Sequence, residues 1–146
     1  MRLSPHFTLD EMTRSQMAAR HGIDNKPNDM QLENLKTLAK GMELVRTKLD
    51  SLPIIISSGF RCEDLNDLLG SKRTSWHIRG LACDFTCDRY GHVSRVFEVL
   101  AESSIPYQQL VYEFNSWIHV AFPVEGEDPK RQTLVIDREG TRIYQR

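Results

Sequence analysis

Between Leu32 and Leu49, apolar residues recur at steps of three and four: Leu32, Leu35, Leu38, Met42, Val45 and Leu49. That is one stripe along a long helix, predicted over 29–50. Asn28 and Gln31 stand in the capping-box relation at its start. Thr8 and Glu11 stand in the same relation upstream, so a short helix is predicted from Leu9 to Ala19, closing near Gly22. "IDNKPNDM" joins the two as a loop. These stripe residues are core and carry no chemistry.

After the long helix the period changes. "LPIIIS" is a continuous apolar, β-branched run of strand length, as a buried strand requires, and "SGF" ends it. "CEDLNDLL" reads as a short helix and "GSKRTS" as a polar loop. "GLACDFTC" is strand-like, with small residues where backbone can approach another group closely. "HVSRVFEVLAESS" reads as a helix with Val96, Val99 and Leu100 inward. "QQLVYEF" and "SWIHVAF" flank Asn115 as a hairpin, and "TLVIDREGTRIYQ" forms a second one turning at Arg138 to Gly140. Helices first, then mixed elements, then hairpins predict an α+β fold with a largely antiparallel central sheet and the N-terminal helices packed on it. The 146 residues suit one domain, 1–146, with one core.

Composition narrows the function classes. With 40% hydrophobic and 27% charged residues the chain is ordinary globular material. A formal net charge of -1 gives no overall attraction to nucleic acid. No apolar run approaches the ~20 residues of a membrane span, and "MRLSPHFTLDEM" lacks the apolar centre of a secretory signal. No glycine-rich phosphate loop is present. Cys62, Cys83 and Cys87 make an odd count, which argues against a disulfide framework.

The polar exceptions to the apolar pattern carry the candidate chemistry. In "SWIHVAF", Ile118, Val120 and Phe122 share the natural core face, so Trp117, His119 and Ala121 face the other way. Asp84 interrupts an otherwise small and apolar strand, where a carboxylate is costly to bury without a partner. His77 lies seven positions before it. Two histidines and one carboxylate meet the needs of a catalytic zinc, which keeps one position open for water. Such a site also needs a base, and Glu113 is placed beside the His119 strand if the chain turns at 114–116. On these residues alone, satisfied structural histidines and a turn-capping aspartate remain an alternative.

Three ordered blocks add to this reading. "SSGFRCEDLN" (57–66), "SWHIRGLACDF" (75–85) and "WIHVAF" (117–122) resemble the zinc D-alanyl-D-alanine carboxypeptidase and L-alanyl-D-glutamate endopeptidase family. Its pattern runs S-G-[YF]-R…L-N, then S-x-H-x-x-G-x-A-x-D, then W-x-H. The family has the Hedgehog/DD-peptidase fold, acts on peptidoglycan, and includes many bacteriophage proteins. The resemblance implies one zinc ion held by His77, Asp84 and His119. It implies a substrate-holding role for Arg61, with Ser75 either donating to substrate or orienting its loop. Gln109 and Glu113 match a phage-type pattern, Q-x-x-x-E before W-x-H, which implies Glu113 as the catalytic base and Gln109 as a substrate neighbour. One departure stands out: many members carry an acid closer to the last histidine, where this chain has Asn115 and Ser116.

The expected activity is cleavage of a peptide bond in the peptidoglycan stem peptide, at D-Ala-D-Ala or L-Ala-D-Glu, by a monomer with no nucleic-acid or membrane partner. With no signal recognised, the resemblance implies synthesis in the bacterial cytoplasm and action at the wall after lysis-linked release or as a virion component. The displaced acid keeps a second reading open, a non-catalytic zinc domain that binds cell wall or a protein partner. An iron(II) oxygenase would also use two histidines and a carboxylate, but with a close His-x-Asp spacing that is absent here.

Overall fold

The computed structural model describes residues 1–145. The chain opens with a small antiparallel pair, β1 (Arg2–Ser4) and β2 (Phe7–Thr8), followed by helices α1 (Leu9–Thr13), α2 (Gln16–Arg20) and α3 (Asp29–Lys48). Strand β3 (Ile55–Ser58) and helix α4 (Glu63–Leu68) lead to β4 (Ala82–Thr86) and helix α5 (Val93–Ala101). The remainder is two hairpins, β5 (Gln109–Glu113) with β6 (Trp117–Ala121), and β7 (Gln132–Asp137) with β8 (Gly140–Ile143).

Six of these strands form one sheet in the order β3-β4-β6-β5-β7-β8. Every pairing is antiparallel except β5 with β7, so the architecture is the α+β fold with a largely antiparallel sheet that the sequence predicts. The parallel pair arises because 122–131 carries the chain back past Tyr107 before β7 begins, and Arg131 N–H donates to the Tyr107 carbonyl. The core lies between the sheet and helices α3 and α5. Leu35, Leu38, Met42, Val45 and Leu49 from the α3 stripe meet Phe85, Ile118 and Val120 from the sheet, and Phe122 just beyond β6, in one cluster. Each fully buried Leu, Phe or Met contributes roughly 1.5–3 kcal/mol relative to exposure.

Both capping boxes form as predicted, Thr8 with Glu11 and Asn28 with Gln31. The helix predicted over Leu9–Ala19 does not run through, however. It breaks at Arg14 and Ser15, both extended, and Ser15 caps α2 by accepting from the Ala18 N–H. The cause is tertiary. The Met12 carbonyl accepts from Phe60 N–H at 2.6 Å and the Thr13 carbonyl accepts from Asn25 Nδ2 at 2.8 Å. Those oxygens are therefore engaged outside the helix at the point where it stops.

Two smaller expectations are corrected. "LPIIIS" does not give a fully buried strand: Ile54 is buried, but β3 lies at the sheet edge and leaves Ile55 59% exposed. On α5 the inward set is Val96, Phe97 and Leu100, with Val99 only half-buried. The pair β1–β2, two to three residues per strand, carries no alternation long enough to predict it.

Candidate metal centre

The site lies on the face of the sheet turned away from the core. Strand alternation points Cys83 and Phe85 into the core and Asp84 between them to the opposite side. Register then brings the chemistry together: Asp84 pairs directly with His119, and His119 with Val111 on the next strand. Cys83 is buried with its thiol 3.6 Å from the Met42 sulfur, in the core and away from the polar cluster.

His77 arrives from outside the sheet, on the turn between α4 and β4. Several polar contacts fix that turn. Gln31 and Asn34 of α3 donate to the carbonyls of Ile78 and Arg79. Gly80 has φ +76 and packs so closely that a Cβ would lie 2.8 Å from the Gln31 carbonyl, so glycine is required there. Ser75 Oγ accepts from the His77 N–H at 3.2 Å, which supports the loop-orienting alternative for this serine. Gly59 completes the anchoring. A Cβ there would sit 2.4 Å from the Met12 carbonyl, and its own carbonyl accepts from His77 Nδ1 at 2.7 Å.

One ligand atom from each of His77, Asp84 and His119 lies within 4.8 Å of the other two, and all three residues are buried. His77 Nε2 stands 3.2 Å and His119 Nδ1 3.0 Å from the same oxygen, Asp84 Oδ1. The outer nitrogens have acceptors of their own: His77 Nδ1 meets the Gly59 carbonyl and His119 Nε2 meets Gln109 Oε1 at 3.1 Å. Imidazoles that donate outward turn their lone pairs inward. Two inward lone pairs and a buried carboxylate repel one another unless a cation joins them. This donor set therefore fits a divalent metal, and two nitrogens with one oxygen beside an open cleft suit zinc with a free position.

Burial alone would push the Asp84 carboxyl up, but charge and hydrogen bonds from His77 and His119 more than offset it and hold the group well below the usual carboxylate range; a cation between the three would take over that role and leave both imidazoles as lone-pair donors. Arg61 adds a cation on the other side, with Nη2 3.7 Å from Asp84 Oδ2. Two serines brace this guanidinium, Ser58 through Nε and Ser71 through Nη1, each at 3.2 Å. Arg61 thus keeps unengaged N–H donors directed at the cleft.

Glu113 lies in the same cleft. The β5–β6 turn falls at Phe114 and Asn115, both with positive φ, and register sets Glu113 directly opposite Trp117. Burial and the nearby Asp84 charge raise its carboxyl above the ordinary value, against opposing pulls from His119, Trp117 and Arg61. All seven residues singled out in the sequence (Arg61, Ser75, His77, Asp84, Gln109, Glu113 and His119) line one cleft of about 620 Å³. A second groove, about 530 Å³, shares Arg61 and Leu69 with it and continues past Arg14 and Arg20.

The structure also places residues the sequence reading passed over. Ser58 and Ser71 hold Arg61, and the Gly59 carbonyl orients His77. Ser58 and Gly59 fall inside the "SSGFR" block, so the motif marked their neighbourhood but not their roles. Trp76, Phe114, Leu134 and Ile136 give the cleft apolar walls. Among the described residues, no helix is long and apolar enough to cross a membrane.

A family model for peptidase M15 matches residues 5–121, and no curated protein matches the chain. That span holds every element from β2 to β6, the first two motif blocks, the third as far as Ala121, and all seven cleft residues. The match and the buried His-Asp-His group agree, and the chain belongs to the peptidase M15 family, that of the zinc D-Ala-D-Ala carboxypeptidases and endopeptidases.

Proposed function

We propose that the protein is a zinc metallopeptidase that cuts one peptide bond in the peptidoglycan stem peptide, with residues 1–146 acting as one peptidase domain. The observation that carries this reading is the convergence of His77, Asp84 and His119 on one point of a cleft that Glu113 and Arg61 also line. His77 Nε2, the Asp84 carboxylate and His119 Nδ1 would hold one zinc ion. Bound there, zinc supplies a Lewis acid for the scissile carbonyl and lowers the pKa of its water.

The remaining work belongs to the chain. Glu113 acts as general base and then returns the proton to the leaving amine. A partly buried carboxyl raised above its ordinary value is better matched to that exchange than an exposed one. Arg61, fixed by Ser58 and Ser71, presents its free N–H groups to a substrate carbonyl or carboxylate. Ser75 and Gln109 shape the ligand surroundings: the first sets the His77 turn and the second engages His119. Trp76, Phe114 and Trp117 exclude water along the cleft walls.

The pairing of Glu113 with Trp117 supports a peptidase over a non-catalytic zinc domain, because it sets an acid in the cleft despite its displacement in sequence. The test is digestion of purified peptidoglycan by the zinc-loaded protein, with mass spectrometry of the released fragments. New termini at D-Ala-D-Ala or at L-Ala-D-Glu are expected and identify the bond. A zinc-replete protein that releases no fragment from walls of several stem-peptide types would overturn the proposal.

A further inference from the structure

We propose that Gln132, in the C-terminal hairpin beyond the family-matched 5–121, is a positioning residue that acts through Gln109 on His119. It holds the Gln109 amide against His119 Nε2, so that the hydrogen-bonding polarity of the group at 132 biases which imidazole nitrogen carries the proton and which faces the metal. The inference rests on the metal reading of this site.

Three contacts carry it. His119 Nε2 lies 3.1 Å from Gln109 Oε1, and Gln109 Nε2 donates to Gln132 Oε1 at 2.9 Å. Backbone pairing fixes the second contact, since Gln109 and Gln132 are directly registered partners across the parallel β5–β7 ladder. The Gln132 N–H also donates to the Gln108 carbonyl at 3.1 Å, which holds its backbone in place. On the other side of the ring, His119 Nδ1 faces Asp84 Oδ1.

A glutamine amide has a donor end and an acceptor end, so the chain Gln132–Gln109–His119 has two self-consistent directions. In one, His119 Nε2–H donates to Gln109, Gln109 donates to Gln132, and Nδ1 presents a lone pair to the metal. In the other, both amides are reversed, Gln109 donates to Nε2, and the proton sits on Nδ1 against Asp84. Only the first direction leaves Nδ1 free to ligate. An acceptor at position 132 favours it, and a donor-only group there opposes it. Metal affinity follows the population of the competent tautomer.

The test uses the full chain with three substitutions: Gln132→Met, Gln132→Glu and Gln132→Lys. Gln132 is exposed, so these changes leave the core untouched, and thermal melting of the metal-free proteins verifies it. Zinc affinity is measured by competition titration in about 0.5 M salt, which screens long-range charge. The His119 tautomer is read in the metal-free protein from side-chain ¹⁵N shifts. Gln132→Met, which leaves the Gln109 amide without its partner but favours neither direction, should weaken zinc binding by about three- to tenfold and give a tautomer ratio between those of the other two variants; the scale is set below the ~10–100-fold of direct ligand partners because the group is exposed. Gln132→Glu should restore wild-type affinity or exceed it, with the proton on Nε2. Gln132→Lys should be the weakest. Equal affinities for the three variants, or a His119 tautomer that none of them moves, would overturn the proposal. A wild-type protein that binds no zinc would instead remove the underlying metal reading, and the metal-free tautomer would still decide the relay.

Discussion

Strands β4, β5 and β6 carry opposite chemistry on their two faces. Cys83, Phe85, Leu110, Ile118 and Val120 point into the core, each at most 1% exposed. Asp84, His119 and Gln109, each a chain neighbour of one of these, point into the cleft, and Glu113 follows on the same face of β5. A period of two residues is all that separates an apolar platform from a row of candidate metal ligands. The apolar face locks the register, because a slip of one residue would exchange the two sets and bury the charges in the core. The polar face can therefore hold mutually repelling donors close together without its own cohesion.

Breaking the polar face should have the largest consequence. His77→Ala, Asp84→Ala and His119→Ala should each abolish stoichiometric zinc binding and reduce wall cleavage to background, with the fold kept, as metal analysis and circular dichroism would report. Normal zinc content in all three would remove the ligand assignment. Next in size is Glu113→Gln. Turnover should fall by about 10²–10⁴ while zinc content stays at the wild-type level, since a general acid–base contributes on that scale. Loss of zinc together with activity would make Glu113 a ligand rather than the base.

Breaking the apolar face should give the reverse pattern. Phe85→Ala, one residue from Asp84, should destabilise the fold by about 3–5 kcal/mol in denaturant titration. At low temperature the folded fraction should still bind one zinc. If Phe85→Ala removed zinc without changing stability, the division of labour between the two faces would be wrong.

The smallest expected effect lies outside the cleft, where Glu43 of α3 meets Ser4 and His6, and serves as a control. Burial alone would raise the Glu43 carboxyl, but hydrogen bonds from Ser4 and His6 hold it below its ordinary 4.5. A depressed folded-state value means that Glu43 stabilises the fold above about pH 4.5 and loses that contribution as pH falls through the lowered value. The stability difference between wild type and Glu43→Gln should therefore be full near neutrality and vanish at acid pH, with zinc binding at neutral pH unaffected.

How far the sequence alone reveals this molecule depends on the range of the interactions involved. The α3 stripe, both capping boxes, the two hairpins and the site-facing side of β6 follow from residues within a few positions of one another, and each forms as predicted. The three motif blocks likewise mark Arg61, Ser75, His77, Asp84 and His119, which converge in the cleft. The break between α1 and α2 does not follow, because Phe60 and Asn25 cause it from a distance in the chain. The edge position of β3 and the parallel β5–β7 pair depend on strand order, which no local pattern encodes. Gln109 shows the same limit at the site. The Q-x-x-x-E pattern implies a substrate neighbour, and Gln109 does line the cleft, but no local pattern encodes the contacts of its amide with His119 and Gln132.

The central claim is that the polar face holds one zinc ion through His77, Asp84 and His119. Anomalous diffraction from a crystal of the zinc-loaded protein, recorded on both sides of the zinc absorption edge, tests it most directly. One strong peak shared by His77 Nε2, the Asp84 carboxylate and His119 Nδ1 is expected. A peak bound by other residues, or none between these three in a protein carrying stoichiometric zinc, would contradict it.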